Sequence, residues 1–149
     1  MSNRSSGAST SAEVHDNPTR WVAAHIRRYV ASGGREHTFN GRDTLLITTR
    51  GRRSGKLRRT ALYFGRDGDR YVVVATGAHD PDWYRNLLVN PAVVVQHRAD
   101  TFAAVARPVT PAERPRLWQL MLRVFPGYAD YQMRAGRELP IAVLEMLGP

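Results

Sequence analysis

The chain contains no cysteine, and only one of its 22 basic residues, Lys56, is a lysine. The missing thiols exclude disulfide staples, cysteine nucleophiles, thiolate metal sites and iron–sulfur clusters. No apolar run approaches the ~20 residues that cross a bilayer. The first twenty residues hold no apolar core of a secretory signal, so the cytoplasm is the expected compartment. No G-x-G-x-x-G follows a strand-like run, which argues against a Rossmann dinucleotide domain. The five histidines, at 15, 25, 37, 79 and 97, lack zinc-ligand spacing and no carboxylate pair accompanies them, so no metal site is expected. Ser54 has no His–Asp signature near it, which argues against a hydrolase triad.

What is present fits one domain: 149 residues, enough for a single core. Twenty-two basic against 13 acidic residues leave a net charge of +9. An arginine skew of this kind matches GC-rich codon usage, so many of these side chains are expected on solvated surface. The surplus still predicts an anionic partner.

Residues 1–16, rich in Ser, Thr, Gly and Asn, read as a disordered tail, leaving 17–149 as the folded domain. A helix is expected over 17–32, capped by Asn17 with Pro18 at its first position and stopped by Gly33-Gly34. Its arginines and Trp21 leave two readings open: a surface helix with one packed stripe, or a helix lying on an anionic membrane surface. Strands are expected at 44–49, 59–65 and 70–76, the last two joined as a hairpin through Asp67-Gly68. A short helix should follow Asp80-Pro81 through Leu88, then strands at 92–98 and 101–108. Thr110 and Glu113 have capping-box spacing ahead of a helix to about Phe125. A short helix over 128–134 and a strand over 139–146 complete the pattern. Close β pairs with few helices predict an α+β domain, mainly antiparallel sheet closing into a small barrel with helices at its ends.

Charge concentrates in residues 50–59, RGRRSGKLRR, where six of ten are Arg or Lys and none is acidic. Gly51 and Gly55 permit a turn whose N–H groups approach a ligand, Ser54 adds a hydroxyl, and arginine forks match phosphate and carboxylate oxygens. The pattern is not a Walker A loop, because Arg50 and Leu57 stand where Gly and Ser/Thr are required. It holds no aromatic residue to stack bases, so nucleic acid is not an expected partner. An anionic cofactor is the better fit.

The blocks LLITTRGRRSGKLRRTALYF, GDRYVVVATG, PDWYRNLLVNPAVVVQ and FPGYADYQMRAGRELPIAVLE resemble, in that order, the deazaflavin-dependent nitroreductase and quinone reductase family. Its members use coenzyme F420, a 5-deazaflavin carrying a phosphate and an oligoglutamate tail. The resemblance runs from about Asp43 to Glu145. It implies a split β-barrel of the flavin-reductase type. It also implies hydride transfer from reduced F420 to a quinone, nitroaromatic or other electrophilic acceptor, with the cofactor carrying the chemistry and the protein positioning it. The phosphate and glutamates would lie on Arg52, Arg53, Ser54 and Arg58, and the strand Arg59, Thr60, Ala61, Leu62, Tyr63 would run along the cofactor. Val74, Ala75, Thr76 and Gly77 would present backbone to the ring, and Trp83, Tyr84 and Asn86 would close its other side. Tyr63, Thr76, Tyr128 and Tyr131 would line the acceptor pocket. Tyr128 and Tyr131, three apart on one helix face, would act catalytically by hydrogen-bonding an acceptor oxygen as charge develops.

The chain departs from the family's usual pattern in a shorter Thr76–Trp83 loop without Gly-Gly, in Ala61 where proline is common, and in Phe125 where tyrosine can occur. An FMN-binding split-barrel reductase and a non-catalytic cofactor or lipid carrier are the alternatives. Split barrels often pair, so a homodimer is a further expectation.

Overall fold

The structure is a computed structural model that describes residues 13–148. Its elements are β1 (Val14–Asp16), α1 (Arg20–Ala31), β2 (Thr38–Phe39), β3 (Arg42–Arg50), β4 (Leu57–Tyr63), β5 (Gly65–Asp67) and β6 (Arg70–Val74). They continue with α2 (Asp82–Val89), β7 (Ala92–His97), β8 (Asp100–Pro108), α3 (Arg114–Val124), α4 (Tyr128–Ala135) and β9 (Ile141–Met146). The strands join in one sheet of order β1-β4-β3-β7-β8-β9-β6-β5, with β2 paired to β3. All pairings are antiparallel except β1, which lies parallel to β4. The architecture is mixed α+β, and the hydrogen-bonded path ends at β1 and β5 rather than closing on itself.

Three apolar clusters explain the sequence pattern. Leu45, Ile47, Val73, Val95, Ala104 and Leu144 meet on one face of the sheet. Val72, Ile141 and Val143, on the opposite face of β6 and β9, pack under Leu117 and Met121 of α3 and Tyr128 of α4. Val22, Ile26 and Tyr29 of α1 cover Leu46. The uninterrupted TLLI run of β3 is therefore buried on both sides, alternate residues facing the sheet core and α1. Each fully buried aliphatic side chain contributes about 1.5–3 kcal/mol.

Tyr29 fixes α1 to the sheet. Its hydroxyl donates to Thr44 O at 2.9 Å and accepts from Arg98 N at 2.8 Å, and burial pushes the phenol up to about 12. Thr44 gives its one proton to His37 O, so it accepts from Nε2–H of His25 at 2.8 Å.

Several boundaries differ from expectation. Val14–Asp16, expected in the tail, form a strand along Leu57–Arg59; the remainder of the expected tail, 1–12, lies outside the described residues. Asn17 does not cap α1. Its N–H bonds Arg59 O at 2.8 Å and its side chain bonds Thr60 Oγ1 at 3.2 Å, so it continues the β1 crossover, and the helix starts at Arg20. The expected strand 59–65 divides at Phe64: β4 pairs with β3, while the separate β5 forms the Asp67-Gly68 hairpin with β6. The capping box forms as read, Thr110 N to Glu113 Oε1 at 2.9 Å and Glu113 N to Thr110 Oγ1 at 3.2 Å.

Candidate functional site

The β3–β4 connection is a compact turn. Gly51 N bonds Lys56 O at 2.8 Å and Gly55 N bonds Gly51 O at 2.9 Å. Gly55 sits at φ +73°, a conformation that favours glycine, and a Cβ on Gly51 would displace the Ser54 hydroxyl, 2.7 Å away.

The turn is anchored on α2. Arg52 presents its backbone N–H and Nη1 to Asn86 Oδ1, at 3.1 and 2.8 Å, and its Nη2 to Asp82 at 3.2 Å. Asn86, only 3% exposed, passes the tether on to Thr49 Oγ1 at 3.3 Å. Arg59 pairs with Asp16 at 2.6 Å. Arg53, Lys56 and Arg58 are exposed and meet no carboxylate among the described residues.

Beside the turn lies a cavity of about 580 Å³. Arg52, Arg53, Ser54, Arg58, Arg59, Thr60, Trp83 and Asn86 line it, so the expected tail-binding residues are brought together with two of the expected ring neighbours. The residues 15–18 form another wall that the sequence reading missed. The only prior signal was the isolated Asp16, an acid preceding a cationic strand by 43 residues.

The other expected residues are placed differently. Tyr84 is buried and lines a second cavity, because neighbouring helical side chains diverge by about 100°. Val74 pairs with Ile141 of β9, and Ala75 N–H is committed to Pro140 O at 2.9 Å. Gly77 O accepts from Arg137 Nε and Nη2 at 3.2 and 3.1 Å, and Arg137 Nη1 also holds Asp80 at 2.6 Å. The short loop is thus pinned from the α4–β9 connection. Ala61 packs against the α1 cluster and Leu62 against the sheet core.

Tyr63, Phe125, Tyr128 and Tyr131 make one aromatic cluster. Phe125 lies 5.4, 5.0 and 5.7 Å from the three tyrosine rings, centroid to centroid. Tyr63 Oη donates to Phe39 O at 3.3 Å. Tyr128 is 5% exposed and burial raises its phenol well above the ordinary value, whereas Tyr131 is 38% exposed. β4 joins this cluster to the cationic turn: Arg58 to Tyr63 is five residues, about 17 Å of strand.

Fold and site together define a protein with exposed cationic side chains beside a cavity at one end of a strand and aromatic side chains at the other. The sequence profile of the F420H(2)-dependent quinone reductase family matches residues 20–146. An F420H(2)-dependent quinone reductase of Mycobacterium tuberculosis is 34% identical over 143 residues, 85% of this chain and 96% of that protein. Among solved structures, an F420-H2 dependent reductase (FDR-A) superposes with TM-score 0.63 at 33% identity, over 68% of this chain and 93% of that one. A chain described as a domain-swapped dimer superposes with TM-score 0.67 at 32% identity, over 87% and 100%. The chain belongs to the F420H(2)-dependent quinone reductase family. It is an oxidoreductase whose cofactor is coenzyme F420.

Proposed function

We propose that the chain passes a hydride from reduced F420 to a quinone, or to a nitroaromatic or similar electrophile, on a split-barrel domain spanning 17–149 extended by β1. The observation that carries this is the cationic cavity at one end of β4, with Arg53 and Arg58 exposed beside it, while Tyr63 at the strand's other end joins the aromatic cluster of Phe125, Tyr128 and Tyr131.

The donor set fits the cofactor. Arg53 and Arg58 offer forks to phosphate and glutamate oxygens, Ser54 offers a hydroxyl, and Trp83 offers an apolar face. When bound, the deazaflavin supplies the hydride. Arg52, tethered to Asn86 and Asp82, sets the shape of the turn more than it grips the ligand, and Arg59, tied to Asp16, holds the N-terminal wall. Thr76, half-buried just after β6, is assigned to the ring side in this reading. Tyr128 retains its proton across the physiological range, because burial disfavours the phenolate. In this reading Tyr128 and the more exposed Tyr131, with Tyr63 beside them in the cluster, donate hydrogen bonds to an acceptor oxygen as negative charge grows there. FMN and carrier readings gain no support from the family match.

The partners extend the same reading. The outward residues Ala92, Val94, Ala103 and Val105 of β7 and β8 form an exposed apolar strip, which suits a second copy of the chain, as in the domain-swapped relative. Trp21 is 59% exposed, stacks on Phe39 at 5.0 Å and is flanked by Arg20, Arg27 and Arg28, a chemistry for anionic lipid headgroups. No helix among the described residues is long and apolar enough to cross a membrane.

Fluorescence titration with F420 tests the site. The wild-type chain should saturate, and Arg53→Ala with Arg58→Ala should weaken binding by at least tenfold. Unchanged affinity would show that the tail lies elsewhere.

A further inference from the structure

Neighbouring side chains of α2 serve two different cavities. Trp83 lines the cationic one, whereas Tyr84 lines a second space of about 670 Å³ beneath α3 and α4. Its wall includes four prolines, Pro108, Pro111, Pro115 and Pro140, together with Trp118. Proline brings no N–H and little freedom, so this side of the wall offers no backbone donor and is already shaped, while Thr110, Arg114, Gln132 and Glu138 make up its polar side. The volume lies in the range of small-molecule sites.

Tyr84 is 7% exposed, and its hydroxyl has no hydrogen-bond partner among the described residues. Burial raises its phenol above the ordinary value, so it remains a donor. A buried hydroxyl without a partner costs stability. In the free protein only solvent in the cavity can take its proton.

Charge separates this cavity from the first. Its guanidinium, Arg114, is neutralised by Glu138 at 3.0 Å, bonded to Gln132 at 3.4 Å and faces the Trp118 ring at 5.7 Å. A polyanion gains nothing here.

We propose that the Tyr84 cavity is a second ligand site, for a neutral, flat, largely apolar molecule whose carbonyl oxygen accepts from Tyr84 Oη. The inference does not rest on the role assigned to the cationic cavity.

Isotope-labelled full-length chain titrated with 1-tetralone and with its hydrocarbon analogue tetralin tests it by NMR. Tetralone should move the Trp118 indole signal and the amides of Val109 and Ile141 saturably, equally well in the Arg53→Ala/Arg58→Ala chain. Tyr84→Phe should weaken tetralone about threefold to tenfold, the range of one hydrogen bond, and leave tetralin unchanged. Because the hydroxyl has no partner within the fold, the variant should melt no lower than wild type. The site is overturned if tetralone gives no saturable shifts, if the shifts fall around the 50–59 turn, or if Tyr84→Phe binds it as before. A melting temperature several degrees lower in Tyr84→Phe also overturns it, by showing that the hydroxyl is bonded within the protein.

Discussion

Two arginine-rich regions of this molecule contrast sharply. At the β5–β6 hairpin and the start of α3, every guanidinium meets an acid except that of Arg66, which lies over the Tyr71 ring at 4.2 Å. Arg70 pairs with Asp67 and Glu113, Arg107 with Glu113 and Glu145, and Arg116 with Asp67. In the β3–β4 turn only Arg52 and Arg59 have acidic partners among the described residues, and Arg53, Lys56 and Arg58 face solvent beside a cavity. Composition treats both regions alike. The difference is that the first has neutralised its charge within the fold, whereas the second keeps it for a ligand.

Four measurements break or sharpen that contrast. The largest effect is expected in the turn: Arg53→Ala with Arg58→Ala removes two charge-assisted contacts of about 1.5–3 kcal/mol each. F420 affinity measured by fluorescence should fall at least about a hundredfold, with the thermal midpoint unchanged.

Asn86→Ala comes next. It leaves Arg52 without its buried acceptor and should cost about 1–3 kcal/mol in urea unfolding, with a weaker tenfold-or-less loss of F420 affinity. Equal stability would mean that Arg52 finds another anchor.

The neutralised region should answer to acid. Arg107, the Thr110 N–H and neighbouring charges hold the Glu113 carboxyl well below its ordinary value of 4.5. The folded state thus binds the proton less readily than the unfolded chain. This stabilisation is complete above about pH 4.5 and is lost as pH falls through the lower folded value. Glu113→Gln should lower the neutral-pH midpoint and flatten its decline between pH 4.5 and 3 in thermal melts; a parallel decline would show that other carboxylates control it.

The smallest effect distinguishes the regions by screening. Raising salt from 50 to 500 mM should weaken F420 binding several-fold, because the turn is exposed. The melting midpoint should move by only a degree or two, because surface ion pairs are individually weak.

Local signals were legible in the chain. The turn was visible because its cations are clustered within ten residues and Gly55 falls where the backbone turns left-handed. The Thr110–Glu113 capping box and the α3 stripe of Leu117 and Met121 were visible for the same reason. The wall at residues 15–18 was not, because three residues of β1 carry no readable periodicity and their partner lies 43 residues away. The Asp67-Gly68 hairpin forms as read, but the single strand expected over 59–65 was misread because nothing local tells a strand to exchange one neighbour for another at Phe64. Tyr84 was grouped with Trp83 although adjacent helical positions cannot face one space, a geometric rule that the sequence already contained.

The β1 strand carries a practical consequence. Asp16 grips Arg59 and Asn17 grips Thr60, yet the apolar clusters draw nothing from residues before Val22. A polypeptide trimmed just ahead of α1 should therefore still assemble its interior while the mouth of the cationic cavity gapes on one side. The β1 segment would then tune how long a bound molecule stays, independently of whether the protein folds.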